Sequence, residues 1–264
     1  MEFTKMHGLA NDFIVLDCRR EPFNWSRQQI QALADRHRGI GFDQLLIVEA
    51  ASGPDHDFTY RIFNGDGGEV EHCGNGARCF AKYLQDNKIF DFVRPVRVRV
   101  KRGLIHIDYA GSDAAGQQLY RVDMGEPRLL PDLTLHGQRF GQVDMGNPHA
   151  VCVVPSVAEA PVSRLGPQLQ ADRAHFPASV NVGFMEIVSR DAVKLRVYER
   201  GAGETQACGT GACAAVACGI NWGLLNGKVA VQLAGGELTI DWTNPANLTL
   251  TGPAVAVFRG SLLY

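Results

Sequence analysis

The chain has 264 residues, 45% hydrophobic and 20% charged, with a formal net charge of −2, a composition that suits two globular domains with separate cores. The near-neutral charge excludes the electrostatic footprint of a nucleic-acid binder. No run of about 18 apolar residues suggests a bilayer span, and the opening M-E-F-T-K-M-H-G-L-A-N-D-F has no apolar stretch for secretion. Seven cysteines, an odd number in a chain too large to need stapling, read as reduced thiols in a cytoplasmic protein.

In chain order, Phe13 to Asp17 predicts a strand. A helix is expected from about Arg27 to His37, with Ser26 and Gln29 forming a capping box and Gly39 suiting its C-terminal turn. Leu45–Val48 and Phe58–Phe63 read as strands. After Cys73, the spacing Ala77, Phe80, Ala81, Leu84 marks a short amphipathic helix. Val96, Val98 and Val100 alternate with polar residues, and Gly103 then leads to Leu104, Ile105 and Ile107, which predicts a hairpin. Residues 110–118 read as a turn or linker. The second half repeats this order, except that G-T-G-A-C-A-A-V-A-C-G-I after Cys208 is apolar on every side, so that helix must be enclosed.

The halves are copies. N-G-D-G-G-E-V-E-H-C-G-N-G-A (64–77) aligns with E-R-G-A-G-E-T-Q-A-C-G-T-G-A (199–212), and Asn11 with Asn147, Gln44 with Asn181, and the 96–109 hairpin with 229–242 follow at offsets of 133 to 137. Two copies point to two facing pseudo-symmetric domains rather than a solenoid. The expected fold is α+β, each domain a mixed or antiparallel β-sheet curled into a barrel around a central helix. The boundaries are placed at 1–116 and 117–253. The final segment 254–264 has no evident counterpart at the end of the first repeat, which leaves it able to return to the first domain.

Cys73 and Cys208 each precede Gly-x-Gly at a helix start, where unbonded amides and the helix dipole favour a thiolate or a bound carboxylate. Two such loops face to face could remove a proton from one side of a carbon and return it on the other. A structural cysteine is the common alternative, and it suits Cys18, Cys79, Cys152, Cys213 and Cys218. A metal site is a second alternative, although no Cys-x-x-Cys pair occurs. A redox pair is a third. The repeat breaks at Asn64 and Gly65, replaced by Glu199, which could accept from an ammonium group, and Arg200, which could bind a carboxylate, or the two form a mere surface ion pair. Asn11, Gln44, Asn147 and Asn181 suit a shared pocket better than turn chemistry, and His149 is either a core histidine or a modulator of a thiol.

Over nearly its whole length the chain resembles the diaminopimelate epimerases. The likeness runs through M-H-G-L-A-N-D-F (6–13), G-F-D-Q-L-L (41–46), F-N-G-D-G-G-E-V-E-H-C-G-N-G-A-R-C (63–79), M-G-N-P-H-A (145–150), N-V-G-F-M-E (181–186) and Y-E-R-G-A-G-E-T-Q-A-C-G-T-G-A-C-A-A (198–215). The resemblance implies cofactor-independent interconversion of LL- and meso-diaminopimelate for lysine and cell-wall precursors, with Cys73 and Cys208 as the acid/base pair and no metal. Gly74, Asn75, Gly209 and Thr210 would bind the reacting end. Asn64, Asn147, Asn181 and Arg200 would hold the distal end, while Asn11, Gln44 and Glu199 complete the pocket and His149 and Glu199 adjust the thiols. It also implies a homodimer. Proline or hydroxyproline racemases are the related alternative, and a non-catalytic thiol redox protein the unrelated one. This chain departs from the family pattern at Ala10, where Gly is usual, and at Gly65, Gly68 and His72; His72 could shift its neighbour Cys73.

Overall fold

The computed structural model describes residues 1–70 and 73–263, and their contacts divide into two compact units, Met1–Asp123 with Thr251–Tyr264, and Met124–Leu250. His72, named above as a neighbour able to shift Cys73, lies outside the described residues.

The first unit is built from β1 (Glu2–Gly8), β2 (Asn11–Asp17), α1 (Arg27–Ala34), β3 (Gln44–Ala50), β4 (Phe58–Asn64), β5 (Glu69–Val70), α2 (Gly74–Asp86), β6 (Val96–Val100), β7 (Gly103–Ser112) and β8 (Gln118–Gly125). β2 and β3 run parallel, Phe13 opposite Gln44, with α1 as their crossover. Both are continuous apolar runs, Phe13–Leu16 and Leu45–Val48, buried throughout, as a parallel pair covered on both faces must be. Ile14, Leu16, Leu45 and Ile47 meet Ile30 and Leu33 of α1. The opposite face, with Phe13 and Leu46, lies against α2 at Gly76. Ala77, Phe80, Ala81 and Leu84 of α2 are buried as the spacing predicts, and so is its entire first turn.

The capping box forms, Ser26 Oγ accepting from Gln29 N–H and Gln29 Oε1 from Ser26 N–H. The helix nevertheless stops three residues before His37. Asp35 turns to φ −60, ψ 120 and its carboxylate accepts from the amides of His37 and Arg38, a local alternative to helical bonding. Of the 110–118 stretch, residues 110–112 finish β7 and 118 opens β8; 113–117 is a turn, closed by Asp113 Oδ1 accepting from Ala115 N–H and Gln117 N–H.

The second unit comprises β9 (Arg128–Leu135), β10 (Gln138–Asp144), β11 (Pro148–Val153), α3 (Val162–Ala171), β12 (Asn181–Ser189), β13 (Ala192–Glu199), β14 (Gly203–Thr205), α4 (Gly209–Asn221), β15 (Lys228–Leu233), β16 (Gly236–Asn244) and β17 (Asn247–Pro253). Its registers reproduce those of the first. Parallel β11 and β12 pair His149 with Asn181, and parallel β13 and β15 pair Ala192 with Ala230 as β4 and β6 pair Phe58 with Val98. α3 packs Val162, Leu165 and Leu169 on Phe140, Cys152 and Phe184. α4 is buried from Gly211 through Gly219, as its all-apolar sequence demands. Gly141 of β10 lets the helix approach so closely that a Cβ there would stand 2.6 Å from Cys218 Sγ.

β18 (Val255–Ser261) pairs antiparallel with β1 in the first unit. Its structural counterpart is β9, which lies within 117–253 rather than at the end of the first repeat. β9 pairs antiparallel with β10 just as β18 does with β1. The equivalence lies in hydrogen bonding, and Pro131 and Asp132 of β9 hide it in the sequence. The architecture is α+β.

Candidate functional site

In the first unit Cys73 is the N-cap of α2, and its Sγ accepts from Gly76 N–H at 3.4 Å. This is the bond a Ser or Asp cap would make. Asn11 Oδ1 lies 3.9 Å from Cys73 Sγ and 3.4 Å from Asn75 Nδ2. That amide is held in orientation from behind, Asn11 Nδ2 donating to Asp43 Oδ2 at 2.9 Å. Asp43 is itself bonded to Arg36, which also grips Asp12. Asn11 leaves a tight turn in which Leu9 and Ala10 both have positive φ, 57 and 65. Left-handed backbone costs an L-residue about 1–2 kcal/mol, and Gly would adopt it at Ala10 without that cost. Strain of this kind persists where neighbours over-determine the conformation. Gln44 and Asn64, opposite each other on β3 and β4, bond side chain to side chain at 2.8 Å. Gln44 Oε1 is buried with no hydrogen-bond partner among the described residues, an acceptor suited to a bound donor.

In the second unit Cys208 caps α4, and its surroundings differ. The thiol donates to Glu199 Oε2 at 2.8 Å, and Thr205 Oγ1 donates to the other carboxylate oxygen. Burial first, then the Glu199 charge, push the Cys208 thiol well above its ordinary value. The lowering expected from a helix start is therefore reversed here: desolvation and an adjacent carboxylate outweigh the dipole. A second chain of bonds runs from His149 Nε2–H to Asn147 Oδ1 (3.1 Å), and from Asn147 Nδ2 to Thr210 Oγ1 (3.3 Å), which stands 3.7 Å from Cys208 Sγ. His149 is fully buried, and burial holds it down at about 3, so it is neutral and acts through bond orientation rather than charge. Asn181 Oδ1 accepts from Arg200 N–H at 2.9 Å while its Nδ2 donates to Pro148 O. The Arg200 side chain is exposed and donates to Ala178 O. Glu199 and Arg200 therefore serve different partners.

Each unit thus brings its own set of these residues together: Cys73, Gly74, Asn75, Asn11, Gln44 and Asn64 in the first, Cys208, Gly209, Thr210, Asn147, His149, Asn181, Glu199 and Arg200 in the second. The sequence reading passed over Asp43, which orients Asn11, and Thr205, which holds Glu199. Thr205 was detectable as a repeat break, since it aligns with Val70. The remaining thiols are core atoms. Burial pushes Cys18 up to about 11 and Cys152 and Cys218 to about 12.

The fold recurs in solved structures. A phenazine biosynthesis protein of the PhzF family from Bacillus anthracis superposes with a TM-score of 0.75 at 15% identity, over 100% of this chain and 99% of its own. A hydroxyproline epimerase from Agrobacterium vitis gives 0.72 at 14%, over 98% and 91%. At such identities the likeness is one of fold alone. Sequence is more specific. The profile described as diaminopimelate epimerase matches residues 3–130 and 141–257. A diaminopimelate epimerase of Chromobacterium violaceum is 50% identical over 279 aligned residues, 99% of each chain. The chain belongs to the diaminopimelate epimerase family.

Proposed function

We propose that this protein interconverts LL- and meso-2,6-diaminopimelate by two-base thiol chemistry, without a bound cofactor. The observation that carries the reading is the pair of cysteine-capped helices, one in each of two repeats of matching strand register. One thiolate takes the α-proton, the electron pair left on carbon delocalises into the substrate carboxylate, and the other thiol delivers its proton to the opposite face, so the two sulfurs exchange protonation states. Amides at Gly74, Asn75, Gly209 and Thr210 would stabilise the developing charge on that carboxylate, since a helix start offers donors that its own turn leaves unpaired. Asn64, Asn147, Asn181 and Arg200 would hold the distal amino-acid end, and the unsatisfied Gln44 Oε1 suits an ammonium group. Asn11 and Glu199 would steer the two thiols, His149 acting through Asn147.

Cys208, held as a thiol against Glu199, is the natural proton donor of the resting state, which makes Cys73 the base. In the family setting this is a cytoplasmic enzyme of lysine and peptidoglycan precursor synthesis, working as a homodimer. The test is deuterium incorporation at the α-carbon of LL-diaminopimelate in reducing D2O buffer without added pyridoxal phosphate. Exchange with inversion is expected, and Cys73→Ala and Cys208→Ala should each abolish inversion. Near-full turnover by either variant, or turnover of proline in place of diaminopimelate, would overturn the reading.

A further inference from the structure

Ser179 lies in the turn between α3 and β12, two residues before Asn181, and has φ 62. It is buried, at 8% exposure. A left-handed backbone is unfavourable for any residue with a Cβ and persists where neighbours over-determine it. Two bonds to fixed parts of the second unit do so here. Ser179 N–H donates to Phe176 O at 2.8 Å, and Ser179 Oγ donates to Gln170 O, in the last turn of α3, at 3.2 Å. Phe176 is itself part of the core packed by α3.

This turn grips Arg200. In a trans peptide the carbonyl and the following N–H point in opposite directions, so the bond from Ser179 N–H to Phe176 aims Ala178 O the other way. Ala178 O accepts there from Arg200 Nη1 at 2.9 Å. On the other side of Ser179, Asn181 Oδ1 accepts from Arg200 N–H at 2.9 Å, and the bond from Asn181 Nδ2 to Pro148 O keeps that amide from flipping. Arg200 is thus held by its backbone and by its guanidinium. A guanidinium carries five donors, so one bond to a carbonyl directs it and leaves others for a carboxylate.

The first repeat is a control within the same molecule. Its connection from α1 to β3, residues 35–43, is as long as the connection from α3 to β12, residues 172–180. There Gly41 takes the left-handed conformation (φ 77), and Phe42, at the position of Ser179, does not. Gly65 stands where Arg200 does. Joining such a helix to such a strand therefore needs no strained serine. The strained serine occurs in the repeat that has an arginine to direct.

We propose that Ser179 is a positioning residue for Arg200: pinned to α3 through its hydroxyl, it aims the Ala178 carbonyl at the guanidinium and so fixes the direction from which Arg200 meets the distal carboxylate of the substrate. The assignment rests on the reading of Arg200 as a holder of that distal end, and it extends the distal site from one side chain to the turn behind it.

The experiment is a double-mutant cycle in steady-state epimerisation, with KM and kcat read separately. Ser179→Gly removes the hydroxyl bond but adopts the left-handed turn without cost. It should raise KM for LL-diaminopimelate about fivefold and leave kcat within about twofold, since the grip on an unreacting end acts equally in ground and transition states. Ser179→Ala, which loses the bond and keeps the cost, should raise KM at least as much. In an Arg200→Gln background, where KM is already raised, Ser179→Gly should add less than about twofold, because coupled residues are not additive. Ser179→Gly with the parent's KM overturns the proposal. The same KM rise with and without Arg200 also overturns it, since the serine would then support only the fold, and so does an Arg200→Gln variant with the parent's KM. Any of these in a parent that inverts diaminopimelate in the deuterium assay concerns the distal grip alone, whereas failure of the epimerase reading shows in that assay with the parent chain.

Discussion

Cys73 and Cys208 occupy one position of one repeated motif, yet the contacts described for them differ. Cys73 is half-buried, accepts an amide N–H and faces a neutral amide oxygen; Cys208 is buried and gives its proton to a carboxylate. Asn11, from outside the motif, faces the first thiol, while Glu199 and Thr205, at positions where the two copies of the motif differ, hold the second. His149 belongs to the second group and makes a prediction in pH. Burial holds its folded value at about 3, below its ordinary 6.5. The neutral form is thus the stable one in the fold, and the unfolded chain takes up the proton first. Its contribution to stability is complete above pH 6.5 and is lost as pH falls from there toward 3. His149→Phe, which installs the residue found at the repeat counterpart Phe13, should flatten that loss. Urea unfolding at pH 7 and pH 4 checks it: the parent should lose more stability than the variant, and equal losses would refute the assignment.

At the scale of elements, the Gly-x-Gly after each cysteine reads in sequence as a loop that exposes amides. In the structure the second glycine is also a packing requirement. A Cβ on Gly76 would stand 2.3 Å from Tyr60 Oη, and one on Gly211 would stand 3.0 Å from Val197 Cγ2 and 3.2 Å from Cys208 Sγ. Neither glycine has positive φ, so the constraint is the close approach of α2 and α4 to their strands. Gly76→Ala should therefore destabilise the protein by about 1–3 kcal/mol, the usual cost of overpacking, and Gly211→Ala by less, because its contacts give with smaller shifts. Chemical denaturation ranks the two; a neutral Gly76→Ala would remove the steric argument. The helices themselves were legible from spacing, Ala77, Phe80, Ala81 and Leu84 in α2 and the all-apolar run in α4. Tyr60 was not, because nothing local marks which strand residue will lie under a helix start. The early end of α1 was missed for a related reason, since the Asp35 carboxylate accepts from the amides of His37 and Arg38 where the apolar pattern alone suggested more helix.

At the scale of the molecule, each unit ends its sheet with a strand of similar pairing and different chemistry. β9 carries Pro131 and Asp132, residues that blunt a strand against further pairing. β18 carries neither, and Val257 and Phe258 are 56% and 48% exposed. The homodimer proposed above would cover these side chains. Val257→Asp with Phe258→Asp should convert a dimer to a monomer in light scattering behind size exclusion; a parent chain that is already monomeric, or a variant that stays dimeric, would sink the idea. No helix among the described residues is long and apolar enough to cross a membrane.

By itself the sequence determined the duplication, the α+β class, the two cysteine motifs and the family, because these are written in composition, period and offset. Asn11, Gln44, Asn147 and Asn181 were recoverable for the same reason, as polar residues that recur at one offset. Tertiary structure decided which groups meet each thiol: the Glu199 carboxylate, itself held by Thr205, against Cys208, and the Asp43-oriented Asn11 against Cys73. It also revealed β9 as the partner of β18, an equivalence carried by hydrogen-bond register. The physical reason is that thiol protonation depends on desolvation and on charges a few ångströms away, and residues that close in space are separated in sequence by anything from two positions to dozens of them.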